Sequence, residues 1–496
     1  MSTNSIRALK AGAVGAVGVL ALTSCFSSST NEGGDDRARV AMLQPPRSAL
    51  SQFSDDAFKL SRWSTAETLV QLDDLGEALP ALATEWNRVD DLTWSFDLRP
   101  DVRFHDGTPL NADAVVTALT AATQAAPKPR ILDGVEMTVS AVDEDTVTVA
   151  TELSDPLVPQ RLSSPQLSIL APAAYEGDGP VDPIGHGTGP FVLTDVQGTS
   201  SASLDRNDDY WGDPAQLAGF DVDFVPDGTA RAAALRNGTA DVVEAVPVSQ
   251  AAQVEEDLIH EVPMPRTNTL YLNTANGVFA DPAMRAAARE SVDKDRLVEQ
   301  VYEGRADAAN GLLGPALPWA ADRPDRTETP AGDAAGKRIT LATFTDRAEL
   351  PEVAVLLQQE LEAKGFIVEQ VVREYQFIET DAVEGRFDAF ILSRATVLDS
   401  GDPVAYMYSD FACEGSFNIS QFCDPAVDDA LATASATDPG AERRAAILEA
   451  ERLILEADAA VPMLHERVIQ GESNSVADVA RDPRERALIT ADTSIE

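Results

Sequence analysis

Four histidines, three cysteines and 82 acidic residues against 38 basic ones bound the chemistry open to this 496-residue chain. Imidazole is too scarce for a metal centre built from histidine. His465 sits in Leu-His-Glu-Arg with no second histidine at helical spacing, so the zinc-protease pattern is missing. No G-x-S-x-G nucleophile turn and no Walker sequence occurs either. Gly185, Gly187 and Gly189 come nearest to a phosphate loop. Such a loop needs its glycines to open a helix whose N-terminus holds the anion. Here Pro190 and the β-rich Phe191, Val192 and Leu193 follow, so the glycines read as a turn entering a strand. His186 is then a turn residue, with approach to a ligand as the other reading. His105 reads as a structural hydrogen-bonding residue. The paired acids Asp73-Asp74, Asp90-Asp91, Asp208-Asp209 and Asp428-Asp429 read as solvated loop and helix-end residues.

The stretch most able to bind something runs from Ser393 to Asp424, SRATVLDSGDPVAYMYSDFACEGSFNISQFCD. It gathers Arg394, Asp399, Asp402, Cys413 and Cys423. Asp402 precedes Pro403 and can simply cap the helix beginning there. An even cysteine pair in an exported chain reads as a disulfide, worth roughly 3 kcal/mol in the chain-entropy model. Zinc would need more ligands than the region supplies.

Export is read from the N-terminus. Arg7 and Lys10 precede the apolar run Ala11 to Leu22, which is too short to span a bilayer comfortably. Leu22-Thr-Ser-Cys25 follows and is similar to a lipoprotein signal, in which the cysteine becomes the acylated first residue. Residues 26–37 are a polar tether with a reach of roughly 20 Å. A formal net charge of −44 speaks against nucleic acid, whose phosphates need Lys/Arg patches, and against anionic lipid surfaces. The 44% hydrophobic and 24% charged fractions are those of a globular protein, and the length calls for more than one domain.

The elements that must hold these residues can be read in order. Ala38 to Leu43 is a first strand. Between Thr93 and Arg99, Trp94, Phe96 and Leu98 alternate with polar residues, the period of a half-buried strand. Val102 and Phe104 resume the alternation after Pro100, and Asp106-Gly107 turns the chain. Asn111 caps a helix from Ala112 to Ala126. The order across residues 79–126 is expected to be helix, turn, two short strands, turn, helix. Met137 to Val142 and Thr146 to Ala150 are a hairpin. Asp221 to Val225, Ala230 to Asn237 and Gly238 to Val243 form a strand, helix and strand of an α/β lobe. Asp281 caps a helix with Pro282 at its first position. Arg338 to Phe344, Pro351 to Lys364, Phe366 to Val372 and Phe387 to Leu392 make a second α/β lobe, and Ala441 to Ala457 is a further helix.

The signature segments match a known family. Ala-x-x-Trp86, Trp94-x-Phe-x-Leu-Arg99, Val102-x-Phe-His-Asp-Gly-Thr-Pro109 and Ala114-Val-Val116 resemble the peptide and nickel class of extracytoplasmic solute-binding proteins, family 5. Gly187-Thr-Gly-Pro190, Arg206-Asn-Asp-Asp-Tyr-Trp-Gly212 and Phe279-Ala-Asp-Pro-Ala-Met-Arg285 match it too. The resemblance covers about Glu67 to Leu464. It implies an α/β fold of the type II periplasmic-binding-protein class (cluster C), two lobes joined by a two-strand hinge. Lobe I would comprise 38–266, with a small extra domain at about 65–170. Lobe II would comprise 267–465, crossing in along Thr269 to Asn273, and 466–496 would return to lobe I.

The same resemblance implies a receptor rather than an enzyme, with no cofactor, acting as a monomer. It would capture short peptides between its lobes and pass them to an ABC permease and its ATPase subunits. Nickel or another metal in an organic chelator is the alternative cargo, and a secreted hydrolase is the remote one. Dipeptide binders carry an acid in a turn of the type Asp-x-Gly-Asp-Pro that meets the α-ammonium, which points to Asp399 and Asp402. They carry an arginine for the carboxylate where Arg347 stands; a plain loop arginine is the other reading. Arg394 departs from the family pattern, and either holds an anionic ligand or chelate or neutralises Asp399.

Overall fold

In the computed structural model the described residues are 36–176, 179–397 and 400–496. The signal segment, Cys25, nearly all of the tether and Asp399 lie outside them. Among the described residues no helix is long and apolar enough to cross a membrane.

One eleven-stranded sheet runs through both lobes. Its order begins in lobe II with Ile367–Arg373, Arg338–Phe344 and Ala389–Ala395. It continues through Ile259–Leu272 and Ala460–Glu472, with Ala306–Ala308 paired to the latter. It ends in lobe I with Val242–Val243, Arg37–Met42, Gly219–Phe224, Ser201–Arg206 and Phe191–Gln197. Each lobe has a parallel centre. In lobe I the first strand lies parallel to both Gly219–Phe224 and Val242–Val243, and helix Gly228–Arg236 makes the crossover between those two. In lobe II the parallel strands Arg338–Phe344 and Ile367–Arg373 are joined by helix Glu349–Lys364. Gly365 ends that helix at φ 115°, a conformation that favours glycine. Parallel strands need such crossovers, and their buried faces explain the Val/Ile/Leu-rich segments.

The two long antiparallel strands, of 14 and 13 residues, join the lobes. Only the end of the first, Thr269 to Asn273, was expected as a crossing. Its earlier half, Ile259 to Asn268, holds Pro263 and Pro265, which break the strand signature without ending the strand. Neither proline can donate to the ladder. The pairing shifts there: Pro263 lies opposite Arg467 and Thr267 opposite His465, so residues 264–266 face Glu466 alone.

The extra domain is a four-stranded antiparallel sheet, Ala83–Arg88, Thr93–Leu98, Thr146–Thr151 and Met137–Ala141, covered by helix Ala112–Gln124. Asn111 caps that helix, its side chain accepting from the Ala114 N–H at 2.9 Å. Two local expectations fail. Residues 83–88 are a strand rather than a helix, because Trp86 stacks on Phe96 of the neighbouring strand at 6.3 Å. Val102 to Phe104 makes only a single bridge, Arg103 to Pro109, since Asp101 turns the chain at φ 63° just after Pro100.

The motifs that carried the resemblance meet where this domain joins lobe I. The Glu67 carboxylate accepts from the Tyr210 hydroxyl at 3.0 Å and the Trp211 indole N–H at 2.9 Å. Arg99 lies 4.2 Å over the Trp211 ring. The Gly189 carbonyl accepts from His105 Nε2 at 2.9 Å and Asn207 Nδ2 at 3.0 Å. A Cβ on Gly187 or Gly189 would strike the backbone carbonyl of Thr65 or Ser64, so close approach is what requires glycine there.

Candidate functional site

The irregular point of the crossing strands brings three arginines together. Arg394, near the end of strand Ala389–Ala395, pairs across the sheet with Thr267. Its guanidinium grips Asp410 with both arms, Nε to Oδ2 at 3.0 Å and Nη2 to Oδ1 at 2.8 Å. It stacks 4.6 Å over Phe417 and lies 5.8 Å from the Tyr406 ring centre. Asp410 is fully buried and also accepts from the Tyr271 hydroxyl at 3.1 Å. Burial pushes the Asp410 carboxyl up against the pull of Arg394. Burial opposes the charge on Arg394 as well, but Asp410 more than offsets it and holds the guanidinium protonated.

Arg347 follows strand Arg338–Phe344 and donates to Glu466 Oε2 at 2.7 Å. Glu466 is itself buried and accepts at its other oxygen from Ser393 Oγ at 2.5 Å. Arg266, on the first crossing strand, has only the Ser393 carbonyl, at 3.3 Å from Nη1. Its Nε is buried with no partner. Burial pushes its pKa down, Arg347 and Arg394 repel it, and Glu466 and Glu485 act in the opposite sense. Glu485 reaches the cluster from the C-terminal segment of lobe I, where Arg62 holds it at 2.8 Å.

Asp402 stands apart from these cations. One of its oxygens accepts from the Val404 N–H at 2.9 Å, at the start of helix Val404–Phe411. The other accepts from Arg443 Nε at 2.7 Å. Cys413 and Cys423 are bonded to each other, closing the loop that carries Phe417 to Arg394. His186 donates or accepts at Nδ1 with the Asp182 carbonyl, within its own turn, at 2.9 Å. His465 Nδ1 lies 2.9 Å from Thr267 Oγ1, and burial pushes its pKa down to about 4. Among the described residues no group of three or more His, Cys, Asp or Glu is placed to hold a metal.

The sequence expectation thus met two of the three arginines and missed Arg266 together with both acids, Glu466 and Asp410. The signal for Arg266 was present in Val-Pro-Met-Pro-Arg: two prolines in a strand predict an irregular ladder, and the residue after them is the one released.

Residues 77–418, more than half of the chain, match the family described as bacterial extracellular solute-binding proteins, family 5 Middle. The chain belongs to that family. Solute-binding proteins similar to it include the nickel-binding periplasmic protein of Escherichia coli K12, 27% identical over 269 residues, 51% of this chain and 51% of that one. That alignment spans about half the length of the relative. The dipeptide-binding protein of the same organism is 27% identical over 457 residues, covering 82% of this chain and 84% of that one. The crystal structure of the nickel ABC transporter protein from Bacillus halodurans shares the fold, with a TM-score of 0.80 at 24% identity over 93% of this chain and 100% of that one. In this solute-binding protein the arginine cluster lies where the crossing strands pass between the lobes.

Proposed function

We propose that this solute-binding protein closes its two lobes around a short peptide and delivers it to the permease of an ABC importer. The observation that carries the reading is the gathering of Arg266, Arg347 and Arg394 at the junction of the lobes. A peptide carboxylate suits such a place, since the guanidinium fork holds two oxygens at once. Asp402 is already engaged by Arg443, so Asp399 is the acid we assign to the α-ammonium. Cys25 would carry the lipid that holds the protein, acting as a monomer, at the outer face of the membrane.

A second reading, a receptor for chelated nickel, rests on Arg394 stacked over Phe417. A metal would then arrive inside an organic chelator whose carboxylates meet the same arginines. Native mass spectrometry of the full chain, purified without added ligand, separates the two. A mixed set of short-peptide masses is expected. One adduct with a nickel isotope pattern would replace the peptide reading with the metal one. Sustained peptide hydrolysis by the purified chain would sink both.

A further inference from the structure

The junction of the lobes leaves one cation over. Among the described residues Arg347 is held by Glu466 and Arg394 by Asp410. Arg266 faces one backbone carbonyl at 3.3 Å, and its buried Nε has no partner. The nearby acids are committed: Glu466 to Arg347 and Ser393, and Glu485 to Arg62. An uncompensated charge out of water costs several kcal/mol, so an arrangement like this is stable chiefly when a counter-charge arrives. The fold creates it deliberately in a local sense. With prolines at 263 and 265, residues 264–266 leave the ladder opposite Glu466, and the Arg266 side chain is released from strand packing.

We propose that Arg266 is the residue that anchors a carboxylate of the bound solute. Arg347 and Arg394 are positioning residues, which hold Glu466 and Asp410 and set the positive field around the anchor. The inference rests on the lobe junction being the solute site, and it gives that solute a class: a small molecule with a free carboxylate. The anchor thereby moves from the loop at Arg347 to the strand that both lobes share. A ligand bound there touches the hinge itself.

Isothermal titration of the full chain with three probes tests this: alanyl-alanine, its C-terminal amide, and citrate with and without nickel. We expect a carboxylate probe to bind, and Arg266→Gln to weaken it on the order of 30-fold, the size of a lost charge-assisted hydrogen bond. Arg266→Lys should recover part of the loss. Arg266→Gln should also bind the dipeptide and its amide equally, whereas the unaltered chain prefers the acid. Because the substitution removes a repelled cation, the ligand-free unfolding midpoint should hold or rise, which a merely structural arginine would not allow. If citrate alone binds, with the same dependence on Arg266, the anchor stands and the peptide reading falls. Unchanged carboxylate affinity in Arg266→Gln overturns the proposal, as does an amide bound as tightly as the acid, a lowered midpoint, or failure of every carboxylate probe to bind.

Discussion

Two histidines show how single residues tie this protein's stability to pH. His105 and His465 are held neutral by burial, each with its pKa pushed down to about 4. Above pH 6.5 both are neutral whether the chain is folded or not, and they contribute no slope. As pH falls from 6.5 toward 4 the unfolded chain takes up protons that the native state refuses, so stability falls with pH. The expected loss at pH 5 is about 2 kcal/mol for each. Urea midpoints at pH 7 and pH 5 would measure it, and the double variant His105→Gln, His465→Gln should lose visibly less than the parent over that interval. A slope identical in parent and variant would rule the histidines out as its source.

At the scale of elements, the packing behind the family motifs makes its own demand. Gly189 passes so close to Ser64 that even a methyl group has no room. Gly189→Ala should therefore cost about 3 kcal/mol, at the upper end for overpacking, while Gly198→Ala, at a glycine whose Cβ meets nothing within 4 Å, serves as the comparison. Thermal unfolding of the two variants would decide it. Much at this scale was legible in the sequence. Asn111 and Asp281 cap the helices they were expected to cap, because those caps depend on a few neighbouring residues. Residues 83–88 were not legible, since their strand is dictated by Trp86 finding Phe96 across the sheet rather than by local pattern. The binding region divides in the same way. Arg347 and Arg394 were reached through ordered motifs, whereas Glu466, Asp410 and Arg266 come together only through pairings between distant strands.

The whole molecule is held closed by contacts at the far edge of the junction. Glu77 of the strand pair next to the extra domain meets Arg444 of lobe II in an ion pair, and Arg88 reaches Asp438 at 3.6 Å. Gly76 and Gly401 lie back to back between them. Exposed pairs of this kind contribute about 1 kcal/mol together, enough to bias a hinge without locking it. Spin labels at Val142 and Val355, both exposed, would report the separation of the extra domain and lobe II. Arg444→Ala with Asp438→Ala should lengthen that distance in the ligand-free chain, and 1 M salt should lengthen it in the parent by screening. An unchanged distance distribution in both cases would show that these pairs do not govern closure.

The strand Ala460–Glu472 carries a further consequence, one of timing. It lies between Ile259–Leu272 and Val242–Val243, so it is an inner strand of the shared sheet although it is among the last to be made. When synthesis has reached residue 455, lobe II has every one of its parallel strands, yet the Val242–Val243 edge of lobe I still awaits its neighbour. The half that begins first is the half that finishes last. During that interval an open sheet edge stands ready to pair with any passing chain, and a nascent copy on the next ribosome is the partner nearest to hand.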